Sequence, residues 1–92
     1  LSTMLERELT VSNRLGLHAR ATAKLVQDLA PFRCNVTMAA KGREINAKSI
    51  MGVMLLAAGQ GTPVTIRING EDEAAAMDAV VDLFERRFDE DN

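Results

Sequence analysis

His18 is the only histidine in the chain, and it stands between a turn glycine, Gly16, and the predicted first turn of a helix. An imidazole can carry a proton, bind a metal or attack as a nucleophile. At a helix N-terminus the first backbone N–H groups lack intrahelical partners and the dipole is positive, so the place accepts an anion, phosphate above all. Arg20 adds a fixed positive charge two residues on. The helix dipole disfavours a cation in the first turn, which weights Arg20 toward function over a solvated surface charge. A lone histidine is nonetheless more often structural than catalytic. Ser49 is the second candidate, a natural N-cap for another helix, and a hydroxyl that can serve as a plain cap or carry a phosphate. Cys34 is the only cysteine, so it cannot form an internal disulfide, and a buried packing role in a reduced setting is expected of it.

These residues need elements to position them. Leu5, Leu9 and Val11 alternate with Glu6, Glu8 and Thr10, the pattern of a half-buried strand. Ala19 to Ala30 reads as a helix with Ala23, Val26, Leu29 and Ala30 at helical spacing, stopped by Pro31. Cys34 to Ala39 and Arg43 to Asn46 read as a hairpin around Lys41-Gly42. Ile50 to Ala58 follows Ser49 as the second helix, before the breakers Gly59-Gln60-Gly61-Thr62-Pro63. Val64 to Ile68 alternates as the last strand. After Asn69-Gly70, the acidic Glu71-Asp72-Glu73 opens a third helix whose stripe is Met77, Val80, Val81, Phe84 and Phe88. The order strand, helix, strand, strand, helix, strand, helix, with one apolar face per strand, predicts an α+β fold. A four-stranded antiparallel sheet is covered on one face by three helices.

With 92 residues, 47% of them hydrophobic and 26% charged, the chain suits one soluble globular domain. Met4 to Phe88 is expected to be that domain. Leu1-Ser2-Thr3 precede a methionine that would make a natural start and are expected to be a remnant outside the fold. Asp89-Glu90-Asp91-Asn92 is expected to be a solvated acidic tail. The longest apolar run is too short to span a bilayer, and no secretory signal is visible. The predicted second helix is apolar around nearly its whole circumference, at Ile50, Met51, Val53, Met54, Leu55 and Leu56. A short helix in so small a domain cannot bury every face, so some of these side chains should form a partner surface.

Gly16-Leu17-His18-Ala19-Arg20 resembles the active-site segment of the histidine-containing phosphocarrier (HPr) family of the bacterial phosphotransferase system. Ala47-Lys48-Ser49-Ile50-Met51-Gly52-Val53-Met54 resembles that family's regulatory-serine segment and follows in the expected order. The similarity runs from about Met4 to about Phe88 and implies an open-faced β-sandwich. It implies a cytoplasmic, monomeric phosphocarrier of sugar transport, not an enzyme with a substrate pocket of its own. His18 would accept phosphate on Nδ1 from Enzyme I and pass it to a IIA-type acceptor, with Arg20 stabilising charge and no metal or cofactor required. Ser49 would be the target of HPr kinase/phosphorylase. Ile50, Met51 and Met54 would dock partners, with Ala19, Lys24, Gln27 and Lys48 at the rim of that surface. Two departures stand out. Ala21 replaces a common proline after the arginine, and Leu15 replaces a small polar residue. Asn13-Arg14-Leu15-Gly16 and the acidic end are similar to the nitrogen-branch paralogue NPr, whereas the Ser49 segment resembles the carbon-branch forms.

Two alternatives belong to other classes. A regulatory adaptor would use Ser49 and the apolar helix with His18 idle; the pairing of His18 with Arg20 argues against it. A nucleic-acid-binding module would need a basic surface and stacking aromatics. The net charge is −2 and the three phenylalanines lie outside the predicted strands, so neither nucleic acid nor membrane insertion is expected.

Overall fold

The computed structural model describes residues 4–90. Leu1-Ser2-Thr3, and Asp91 and Asn92 of the expected tail, lie outside the described residues. The elements run β1 (Leu5–Thr10), α1 (Ala19–Leu29), β2 (Asn35–Ala40), β3 (Arg43–Asn46), α2 (Ile50–Leu56), β4 (Pro63–Asn69) and α3 (Glu73–Glu85), with a short turn of helix at Arg87–Asp89. The strands form one antiparallel sheet in the order β1-β4-β2-β3. The α+β open-faced sandwich expected from the pattern is the fold observed.

Period-two alternation decides the two faces of the sheet. Val36, Met38 and Ala40 on β2 and Val64, Ile66 and Ile68 on β4 are buried beneath the helices, with Met38 opposite Ile66 and Val36 opposite Ile68. The open face is polar and cross-linked. Arg67 donates from Nε to Glu6 on β1 at 2.7 Å and from Nη1 to Glu44 on β3 at 2.8 Å, and Thr37 on β2 donates to Glu44 at 3.1 Å. The Glu6 and Glu44 carboxylates raise the Arg67 guanidinium further above its ordinary range.

The helices seal the other face. α1 buries Ala21, Thr22, Leu25 and Leu29. The expected stripe of Ala23, Val26, Leu29 and Ala30 is therefore rotated, with Leu29 alone kept. Ala23 and Val26 are half-buried and Ala30 is exposed. Thr22 takes a core position because its hydroxyl donates to the Leu17 carbonyl at 3.1 Å. α2 ends two residues earlier than predicted, since Ala57 turns left-handed at φ 48°. On α3, Met77, Val80 and Phe84 are buried with Leu83, while Val81 is half-buried. Phe88 is fully buried but is carried by the turn after the helix.

Asp72 does not cap α3 through its side chain. Its carboxylate accepts the backbone N–H groups of Arg33 at 2.8 Å and Cys34 at 3.0 Å, tying the start of α3 to the entry of β2. Those bonds, the one from Arg33 first, hold its pKa below the ordinary carboxylate range. Cys34 is buried, as expected, and burial pushes its thiol up. No described helix is long and apolar enough to cross a membrane.

Candidate functional site

The loop from Val11 to His18 is fixed before α1 begins. Asn13, fully buried, donates to the Gly16 carbonyl at 2.7 Å. Gly16 takes φ +69°, and a Cβ there would stand 2.6 Å from the Ala58 carbonyl oxygen. Only glycine permits that approach, in which Leu17 donates to Ala58 at 2.9 Å and the histidine loop is moored to the end of α2. His18 is the N-cap of α1, in extended conformation.

The two ring nitrogens of His18 face different neighbours. Nδ1 accepts the backbone N–H of Arg20 at 3.3 Å. Nε2 lies against a carboxylate oxygen of Glu90. An ionised carboxylate can only accept, so Nε2 carries the proton and donates. Nδ1 then keeps its lone pair, aimed at the positive end of α1. In this arrangement Nδ1 is the ring nitrogen that presents a lone pair at the start of α1.

His18 opens onto a cavity of about 600 Å³ lined also by Arg14, Leu15, Arg20, Lys24, Asp89 and Glu90. Among the described residues, the side chains of Arg14 and Arg20 have no hydrogen-bond or ion-pair partner. Two free guanidiniums thus line the cavity onto which His18 opens. Lys24 is committed elsewhere, donating from Nζ to the Phe88 carbonyl at 2.9 Å and to Asp89 at 3.3 Å. Asp89 and Glu90 depart from the solvated tail expected of them: both are tied back into the site. Burial pushes the Glu90 carboxyl up, but hydrogen bonds from Asn13 and His18 outweigh it and leave the pKa below the ordinary value.

Ser49 caps α2, its Oγ accepting the Gly52 N–H at 3.0 Å. Gly52 leaves room there, since a Cβ would come 3.2 Å from the Asn46 carbonyl oxygen. Val53 and Leu56 are buried, whereas Ile50, Met51, Met54 and Leu55 are exposed at 48, 79, 42 and 61%. The apolar side chains of α2 therefore do divide between core and solvent. Leu15, 64% exposed, adds an apolar side chain at the His18 cavity. Leu55 belongs to the apolar set from which a partner surface is expected, whereas Leu15 reads in the sequence only as a departure from the family pattern. Of the expected rim, Ala19 and Gln27 are exposed. Lys48 is half-buried, with its ammonium bonded to the Phe32 carbonyl.

Residues 5–86 match the family described as PTS HPr component phosphorylation site. The chain belongs to the HPr family. It is 68% identical over 88 residues to the phosphocarrier protein HPr of Xylella fastidiosa, an alignment covering 96% of this chain and 99% of that one. It is 39% identical over 88 residues to the phosphocarrier protein NPr of Shewanella violacea, covering 96% and 97%. Among solved structures, HPr-C-His from Thermoanaerobacter tengcongensis matches with a TM-score of 0.92 at 39% identity, over 96% of this chain and 99% of that one. HPr membership makes this a phosphocarrier-family chain of the phosphotransferase system.

Proposed function

We propose that the chain accepts a phosphoryl group from Enzyme I on Nδ1 of His18 and passes it to IIA-type acceptors. One observation carries this reading: Nδ1 faces the N-terminus of α1, in a cavity that two free arginines line, while Nε2 is turned onto Glu90. The Nδ1 lone pair attacks phosphorus, and the bond to the donor breaks with its electron pair staying on the donor. Nε2 keeps its hydrogen, so the ring gains a positive charge. Arg20 and the N–H groups of the first turn stabilise the phosphoryl oxygens through positioning and electrostatics. Arg14 is placed to share that role.

Docking falls to Ile50, Met51 and Met54 on α2, extended by Leu15 and Leu55, with Ala19, Gln27, Lys24 and Lys48 around it. Flexible methionines suit a surface that must meet several partners in turn. A monomer fits this use, since the apolar face has to be free for each partner. Ser49 is the regulatory site for HPr kinase/phosphorylase. Its hydroxyl is half-buried at the cap, and a phosphate there would add about −1.5 to −2 charges beside the docking face. The sugar-transport branch in the cytoplasm is favoured over the nitrogen branch by the higher identity to the relative named HPr. Incubation with Enzyme I and labelled phosphoenolpyruvate, followed by acid, tests the reading. Label on His18 is lost in acid, whereas label on Ser49 survives.

A further inference from the structure

The segment from Arg87 to Glu90 is held in a strained conformation by several anchors. Arg87, Phe88 and Asp89 have φ of 55, 55 and 61°, three successive non-glycine residues in the left-handed region, where Cβ crowds the backbone. The Phe88 ring is fully buried and meets Phe84 with ring centroids 5.1 Å apart. Lys24 holds the Phe88 carbonyl, and Arg86 donates from Nε to Asp89 at 2.9 Å. The strained turn delivers Glu90. One of its oxygens accepts from the buried Asn13 amide at 3.1 Å, and the other receives His18 Nε2. Asn13 is itself locked by its bond to Gly16, so the carboxylate is set from two sides.

Resting on the reading that His18 carries the phosphoryl group, we infer that Glu90 is a positioning residue that keeps His18 Nε2 protonated throughout the transfer cycle. Attack through Nδ1 leaves the ring cationic, with N–P formed and Nε2–H intact. If that proton leaves, the ring is neutral and would have to depart from phosphorus as an imidazolate, a poor leaving group. With the proton held by the carboxylate, the N–P bond breaks with its electron pair returning to Nδ1, and neutral imidazole is regenerated. The phosphoryl group moves to the acceptor and no further reactant is needed. The charged groups facing the ring are Arg14 on the loop, Arg20 and Lys24 on α1, and Asp89 and Glu90 on the turn. The three cations disfavour the ring's positive charge, and Asp89 is already engaged by Lys24 and Arg86. Glu90 is the carboxylate in direct contact.

The test uses the full chain and the variants Glu90→Gln and Glu90→Ala, charged chemically with phosphoramidate so that docking plays no part. Nitrogen-15 NMR follows the titration of Nε2 in the phosphorylated protein, and the rate of phosphate loss is measured across the same pH range. Removing an opposite charge in contact should lower the Nε2 midpoint by about one pH unit in both variants. Between the two midpoints, phosphate loss should be roughly two- to fivefold slower than in the unaltered chain, approaching about tenfold above the higher midpoint. Coincident midpoints and rate profiles in all three proteins would overturn the inference, and a lowered melting temperature alone would make Glu90 a tether. If the unaltered chain takes up no acid-labile phosphate, or His18→Ala takes up as much, it is the underlying reading that fails.

Discussion

Lys24 Nζ donates to the carbonyl of Phe88 at 2.9 Å, joining the second turn of α1 to a turn 64 residues further along the chain. α1 supplies the Arg20 N–H at His18 Nδ1, and the Phe88 turn supplies Glu90 at Nε2. The two sides of the imidazole are thus held by elements that Lys24 ties together.

Lys24→Met keeps the aliphatic stem but removes the charged donor. A charge-assisted hydrogen bond on a side chain one-third exposed contributes modestly, so urea unfolding should show a loss of about 1 kcal/mol. An unchanged unfolding midpoint would mean that Phe88 and Arg86 hold the turn alone.

Met51→Asp should leave stability within about 0.5 kcal/mol, because Met51 is 79% exposed. Binding to Enzyme I, measured by titration calorimetry, should weaken at least several-fold if α2 is the docking face. Equal affinity for the two proteins would remove Met51 from the interface.

The buried and bonded parts of the chain were unevenly legible in its residues. Val64-Thr65-Ile66-Arg67-Ile68 declares β4 because alternation has one meaning on a sheet covered on one side. Ser49 declares the start of α2 through its cap, and Gly16-Leu17-His18-Ala19-Arg20 marks the site segment. The face of α1 is ambiguous, since small apolar residues lie on both sides of it and the buried Thr22 looks polar until its bond to Leu17 is seen. Glu90 was illegible for another reason. A carboxylate in an acidic run reads as solvated, and only the left-handed turn at Arg87–Asp89 brings it back to His18. Lys48 and Lys24 read as surface charges, yet both reach carbonyls across the fold.

Asp72 gives a pH dependence with a defined sign. Its folded pKa is lowered, first by the Arg33 N–H, so its contribution is present above the unfolded value of about 3.9 and is lost as pH falls through the folded value. Asp72→Asn should therefore melt below the unaltered protein at pH 6, and the gap should narrow as pH drops below about 4. Taking the difference between the two proteins removes Asp89 and Glu90, which titrate in both. A gap that is constant with pH would show that neutral hydrogen bonding accounts for the whole effect.

Ser49→Asp separates regulation from capping. Aspartate caps as well as serine, and its charge suits the start of α2, so the melting temperature should hold or rise slightly. Phosphorylation of His18 by Enzyme I should slow, because negative charge beside the docking face lowers the association rate. Part of that loss should recover as salt is added. An undiminished rate at low salt would leave Ser49 as a cap alone.

Phosphate transfer from Enzyme I to His18→Ala, read beside the unaltered chain, tests the central claim most directly. His18 is half-buried at the rim of a cavity, so the variant should fold with a near-normal melting temperature. The unaltered chain should take up one acid-labile phosphate, with phosphorus-to-nitrogen coupling placing it on Nδ1, and the variant should take up none. Equal acid-labile labelling of the two proteins, or coupling that places phosphorus on Nε2, would contradict the account.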